Sequence, residues 1–214
     1  MEDIQYNNLE LIVFGAGGLA REITSWNNLS ENKLNIIGYM DDFYNPDQPN
    51  PHGLNVVGKI GYDKFSKNTQ AICAITNCIK KEDLFKQSEN HQFRFNNYIH
   101  STCLIGERTS HGKGIVMLPY SIISCDAIIG DLVFVNNGSQ IGHDVVMGDF
   151  TSIMANVDIG GGAQIGKNVF IGSNAVILPG VIIPDNTIVG AGSVVIRSIK
   201  HPGTYFGNPA KKIF

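Results

Sequence analysis

The hydrophobic positions of this chain keep two different rhythms, and the change comes near residue 98. Stepping by six from Ile99 gives an aliphatic residue at 16 of 17 positions as far as Val195, with His111 the one exception. Glycine often follows directly, as at Gly106, Gly130, Gly142, Gly160 and Gly172, and four places after the aliphatic stands a small or β-branched residue such as Ser121, Ser139, Thr151 or Ala163. A helix repeats at 3.6 and a simple strand at 2, so neither accounts for a period of six. A parallel β-helix does: one short strand and one turn use six residues, and three such units close a triangular coil. The aliphatic fills the interior and the small residue helps form the corner, so residues 99–197 make about five and a half coils by solenoid stacking.

Residues 1–97 follow another pattern. "LELIVFGAGG" is an apolar run ending in glycines, "LAREITSWNNL" has helical spacing at Leu19, Ile23 and Trp26, and "NIIGYMDD" is a second buried strand closed by two acids. "TQAICAITN" and the charged stretch "KKEDLFKQSEN" add a third strand and a second helix. Strands alternating with helices predict a small parallel α/β domain. The chain therefore divides into an α/β domain over 1–97 and a β-helix domain over 98–214.

The glycines at the first strand-to-helix junction suggest chemistry. Gly15, Gly17 and Ala20 fit G-x-G-x-x-A, and Asp41 ends the next strand. Glycine lets backbone approach a phosphate, the helix N-terminus offers N–H groups, and the acid suits a ribose hydroxyl. A full dinucleotide fold uses two mononucleotide halves, whereas this domain has one, so a nucleotide-sugar fits better than NAD.

In the β-helix the pair His143–Asp144 stands out. His143 takes the third place of its hexad and should project outward, and stepping on by three hexads puts Gly161 and Gly162 beneath the pair. Two functional side chains then stand over a shelf without side chains, open to a ligand lying along the helix axis. His111 is inward in the pattern and reads as an irregular edge. His100 opens the β-helix and is expected to tether the domains.

Composition narrows the partners. The chain has 214 residues, 43% hydrophobic and 16% charged, with a formal net charge of -3. Its lysines and arginines are scattered, which argues against nucleic acid. No signal-peptide pattern and no apolar run near the roughly 20 residues of a membrane span occur, so a cytoplasmic protein without membrane insertion is expected. Cys73, Cys78, Cys103 and Cys125 form no C-x-x-C pair, and no H-x-E or H-E-x-x-H occurs, so neither disulfides nor metal are expected.

The stretches "VFGAGG", "MDDF", "VMLPYSIIS", "NNGSQIGHD", "GKNVFIGSNAVILPG" and "FGNPAKKI" together resemble the nucleotide-sugar acetyltransferases that join a small Rossmann-like domain to a left-handed β-helix. Members modify sialic acids or 4-amino-4,6-dideoxy sugars. The resemblance implies the left hand of the helix, a homotrimer, and acetyl-CoA in the groove between adjacent β-helices. It makes His143 the catalytic base and Asp144 its orienting acid, with Asn136 near the acceptor amine. Gly17, Gly18, Asp41, Asp42 and Thr76 correspond to nucleotide-holding positions, with Leu19 beside them where the family often has histidine. Ser152, Ser173 and Ala191 correspond to positions lining the coenzyme groove, with Gly161 of the shelf among them. Many relatives carry histidine at the position of Ser152.

The expected reaction is N-acetylation of a nucleotide-linked 4-amino sugar. A neutral imidazole, whose ordinary pKa is about 6.5, takes the proton as the amine attacks the thioester. O-acetylation of a sugar such as sialic acid uses the same dyad and is the second reading. A silent β-helix serving as a binding module and a nicotinamide-dependent enzyme are the rivals from other classes.

Overall fold

The computed structural model describes residues 9–31, 33–43, 45, 47, 50–60, 70–91 and 93–214. Thr69, at the head of the predicted third strand, lies outside them. The first domain is a five-stranded parallel sheet in the order β3-β2-β1-β4-β5. Its elements are β1 (Glu10–Phe14), α1 (Gly18–Leu29), β2 (Asn35–Met40), β3 (Val56–Gly58), β4 (Gln70–Cys73), α2 (Cys78–His91) and β5 (Arg94–Phe95). The three predicted strands form its centre. The edge strands β3 and β5 are too short to leave a pattern in the sequence. Helix α1 buries Ala20, Ile23 and Asn27. Asn27 is inside because its amide exchanges two hydrogen bonds with the backbone of Leu34, at 3.0 and 2.8 Å, which fastens the turn into β2.

From Tyr98 the chain winds into a parallel β-helix of two-residue strands on three faces. The first face stacks Tyr98–Ile99, Val116–Met117, Phe134–Val135, Ser152–Ile153, Phe170–Ile171 and Ile188–Val189. The second runs from Leu104–Ile105 through Gln140–Ile141 to Val194–Val195, and the third from Ser110–His111 through Val146–Met147 to Ile182–Ile183. Partners in neighbouring strands are three hexads apart, as Ile123 and Ile141 are. The interior is the predicted set: Met117, Ile123, Ile141, Ile153, Ile159 and Ile171 are at most 1% exposed, and Ala127, Ala163 and Ala175 pack among them. The corners turn one residue before the small position, at Asp126, Asp144, Asn156 and Asn174, which take φ of 56–60°, and at equivalents such as Leu132, Tyr120, Phe150 and Gly162, which span 50–70°. Asn and Asp tolerate this left-handed region better than other side-chain-bearing residues. The small residue is buried just inside the corner. His111 is exposed on the opening coil, as the edge reading predicts.

The first domain docks on the first face. Val116, Leu118 and Phe134 join Leu11, Val13 and Ile23 in one buried cluster, and Tyr98 Oη donates to Ile23 O at 3.4 Å. On the corner between the third and first faces, Leu132 and Phe150 meet Phe85 and Phe95, with the Phe85 and Phe150 rings 5.5 Å apart. Polar groups of α2 close the joint. Glu82 accepts from Lys167 Nζ and Asn168 Nδ2, both at 2.7 Å, and these bonds, with Lys86, pull its carboxyl down to about 2. His100, expected as a tether, bonds within its own turn to Thr102 at 2.8 Å.

Lys81, on the first turn of α2, is the central clasp. It is 1% exposed, and its Nζ donates to Leu132 O at 2.8 Å and Thr151 O at 2.9 Å. Burial pushes the ammonium down from 10.5 to about 8. A neutral amine still has two N–H groups for the two carbonyls. Lys81→Met keeps the stem and leaves both carbonyls unpaired, at a cost of about 2 kcal/mol, which calorimetry should read as a fall in Tm of about 4–8 °C. An unfolded lysine keeps its proton up to 10.5, and the folded one releases it near 8. The unfolded chain therefore binds more protons in that window, and the contribution of Lys81 grows as pH rises through it. The stability gap between wild type and Lys81→Met should widen from pH 8 to 10.5. A constant gap would mean that the buried group stays charged.

Candidate active site

His143 and Asp144 occupy the corner between the second and third faces. Asp144 takes the left-handed turn position, with φ 60°, which swings its carboxylate beside the imidazole. His143 Nδ1 lies 2.7 Å from Asp144 Oδ2. The acid fixes the proton on Nδ1, so Nε2 of the neutral ring carries the lone pair. Both side chains are 65% exposed. The ring lies over Gly161: a Cβ there would stand 2.6 Å from His143 Nε2 and 2.7 Å from Cε1. Any side chain at 161 would displace the imidazole. At Gly162 and Gly180, further along the same corner, an added Cβ would meet nothing within 4 Å. The predicted shelf is present and continues past the dyad as an open track.

The glycine loop of the first domain borders a cavity of about 600 Å³. Gly15 has φ +100°, and a Cβ would sit 2.9 Å from Ala74 O, so only glycine fits there. Gly17 caps α1 and faces open space. Asp41, Asp42 and Thr76 join these glycines in the lining, and α2 adds Lys80, Asp83 and Gln87, which sequence reasoning missed. The only hint in the sequence was their spacing on one side of α2. Phe43 also lines the cavity, with Lys80 Nζ 5.4 Å from its ring centroid. Asp41 already binds protein: Oδ2 accepts from Ala16 N at 2.8 Å and Oδ1 from Phe43 N at 2.9 Å. It joins the loops on either side of the cavity, and a ribose hydroxyl would have to share its remaining lone pairs. Leu19 instead packs into the domain core and, like Gly18, is outside the lining.

Asn136 begins the corner between the first and second faces, its Oδ1 accepting from Asn137 N at 2.7 Å. Ser173 and Ala191 stack in one column on that corner. Ser152, expected along a coenzyme groove, is fully buried, and its hydroxyl donates to Thr76 O at 2.7 Å beneath the first domain. Its position on the first face explains this, because that face carries the domain.

The same geometry separates the two halves of the candidate site. The first domain and its cavity sit on the first face, and the dyad stands on the corner between the other two. Within one chain the β-helix lies between them. Among the described residues no group of three or more His, Cys, Asp or Glu could hold a metal ion, and no helix is long and apolar enough to cross a membrane.

Fold, repeat and dyad together define a hexapeptide-repeat acyltransferase. Residues 144–178 and 162–197 match the bacterial transferase hexapeptide (six repeats) family, and residues 10–88 match the PglD N-terminal domain. The chain thus joins a PglD-type N-terminal domain to hexapeptide repeats of the bacterial transferase type, in the fold of a left-handed β-helix. Among solved structures it is similar to the acetyltransferase domain of PglB from Neisseria gonorrhoeae FA1090 in complex with acetyl coenzyme A. That match has 23% identity and a TM-score of 0.87, covering 97% of this chain and 100% of the other. It is similar also to PerB from Caulobacter crescentus in complex with CoA and GDP-perosamine, at 26% identity and a TM-score of 0.80, over 94% of this chain and 96% of that one. WeeI from Acinetobacter baumannii AYE matches at 24% identity and a TM-score of 0.68, over 95% and 99%. No curated protein matches the sequence.

Proposed function

We propose that this protein transfers the acetyl group of acetyl-CoA to the 4-amino group of a nucleotide-linked 4-amino-4,6-dideoxy sugar. The observation that carries this reading is the His143–Asp144 pair lying over Gly161, with an open glycine track beyond it. That track suits a long, thin donor, because added Cβ atoms at Gly162 and Gly180 would protrude into it without touching protein. Acetyl-CoA supplies an activated thioester whose thiolate leaves readily. His143 Nε2 takes the proton from the attacking amine, and Asp144 holds the tautomer and stabilises the imidazolium. No covalent bond to the enzyme is needed. The cavity bordered by Gly17, Asp41, Asp42 and Thr76 would receive the nucleotide. The complex of the Caulobacter relative with GDP-perosamine supports an amino-sugar acceptor.

Because cavity and dyad lie on opposite sides of the β-helix, one chain does not form a whole site. The reading therefore includes a homotrimer, in which the dyad of one subunit faces the nucleotide cavity of its neighbour. Ile128, Val146 and Ile182 stand 56, 45 and 46% exposed in one line on the third face, with Gln164 between the last two, a largely apolar line that a subunit contact would cover. Light scattering on active enzyme should give three times the mass of the chain, and a fully active monomer would overturn this assembly. The activity itself is tested by following thiol release from acetyl-CoA with UDP-, dTDP- and GDP-linked 4-amino-4,6-dideoxy sugars. One of these should be acetylated at nitrogen. Turnover of sialic acid in place of all three would replace the reading by O-acetylation.

A further inference from the structure

The corner that holds the dyad carries a second charged pair one coil earlier. Counting back one coil from His143 and Asp144 gives Cys125 and Asp126, and a further coil gives Glu107 and Arg108. The backbone links these coils, with Asp144 N donating to Cys125 O at 3.2 Å and Asp126 N to Glu107 O at 3.0 Å. Arg108, Asp126 and Asp144 all take the left-handed corner position, with φ of 59, 59 and 60°. Arg108 grips Asp126 with both ends of its fork, Nε to Oδ1 at 2.6 Å and Nη2 to Oδ2 at 2.8 Å. Its Nη1 is 3.5 Å from Glu107 Oε2.

Two reasons that would ordinarily explain such a pair are weak here. Arg108 is 66% exposed, and surface ion pairs add little stability. The left-handed corner favours Asn, Asp or Gly, and the other bulky residues that take it, Tyr120, Leu132 and Phe150, carry no charge. The remaining effect is electrostatic. Without Arg108, the carboxylates of Glu107, Asp126 and Asp144 would crowd one corner beside the imidazole. No other charged group flanks His143 on this corner, since Gly161 and Gly162 follow it.

We propose that Arg108 is a positioning residue for the dyad: by pairing with Asp126 beneath it, Arg108 keeps an unpaired carboxylate away from His143 and leaves Asp144 committed to the imidazole. Asp126 lies one coil from His143 and Arg108 two coils from Asp144 on the same corner, close enough for their charges to interact. The Arg108 hydrogen bonds hold the Asp126 carboxyl below its ordinary range, so Asp126 stays ionised and the pair stays neutral overall. The inference rests on His143 being the base, and its test is chosen to separate the two.

The experiment compares wild type, Arg108→Asn, Asp126→Asn, the double variant and Arg108→Lys. Asn suits the corner backbone, so Arg108→Asn should fold, and thermal melts check each protein. Two readouts are taken: the acid limb of kcat/KM against pH, and the NMR titration of the His143 ring. Arg108→Asn leaves an unpaired carboxylate about one coil away and should move both to higher pH by about half a pH unit, the size expected for a charge roughly 6 Å off in water. Asp126→Asn frees a cation and should move both to lower pH. The double variant should return to wild type, and Arg108→Lys should stay near it. Single variants that leave both readouts unmoved, or move them in the same direction, would overturn the proposal. If the NMR titrations move as described while His143→Ala stays active, Arg108 still tunes the imidazole and it is the base assignment that falls.

Discussion

His143→Ala should lower turnover by about 10²–10⁴-fold, the usual contribution of a positioned general base. Its fold should remain intact, because the ring is 65% exposed and rests on a glycine, so its removal leaves no internal void. Binding of CoA, measured by calorimetry, should be within a few-fold of wild type, which distinguishes loss of chemistry from loss of donor. Asp144→Asn should give a loss of similar size with the same pattern, since an amide N–H facing Nδ1 would hold the ring in the wrong tautomer and could not stabilise its positive charge. Near wild-type turnover in His143→Ala would take the histidine out of the mechanism.

The second expected result concerns two impaired proteins that recover activity together. Gly17→Leu points a side chain toward the nucleotide cavity from a position where an added Cβ meets no protein atom within 4 Å. Alone it should raise the acceptor KM at least about tenfold, as loss of a contact made equally in ground and transition states does. If each site combines the cavity of one subunit with the dyad of the next, coexpressing Gly17→Leu with His143→Ala rebuilds intact sites at some interfaces. Random assembly gives each half a one-in-two chance of being intact, so about a quarter of wild-type activity should return. If cavity and dyad act within one chain, every site in the mixture carries a defect and no activity returns. Mixing separately purified trimers that do not exchange subunits is the control.

The β-helix was legible to the level of single residues, because a period of six fixes the rotation of every side chain about the axis. That is why Gly161 could be placed under His143 by counting three hexads, and why the interior from Met117 to Ile177 matches the pattern. The two-residue strands are too short to show in any other way. The first domain was legible where its strands are apolar on both faces, at β1, β2 and β4, and illegible at β3 and β5, which hydrogen-bond at the sheet edges with few side chains buried. The docking face could not be read. It is set by Lys81 and Cys78 reaching carbonyl oxygens of Leu132, Thr151 and Val169, and by the Ser152 hydroxyl reaching Thr76 O. Carbonyl acceptors leave no trace in a sequence. The family resemblance put Ser152 in an open groove, and with the docking contacts hidden the separation of cavity from dyad was not foreseen. Arg108 was missed because it lies two coils from His143, although the same arithmetic places it there.

A coil of three hexads also makes this architecture a ruler with a fixed graduation. Each coil advances the axis by about 4.8 Å, the spacing of neighbouring strands. Inserting three whole hexads beyond Ile165 would lengthen the open track by one graduation and leave every face as it was. Inserting a single hexad would turn everything downstream by a third of a revolution, carrying the column of Ser173 and Ala191 round to the dyad's corner. An insertion that is not a whole number of hexads would send side chains meant for the interior into solvent. Growth or shortening of such a chain is therefore quantised: the reach from the dyad to the far end of the track changes in whole coils or not at all.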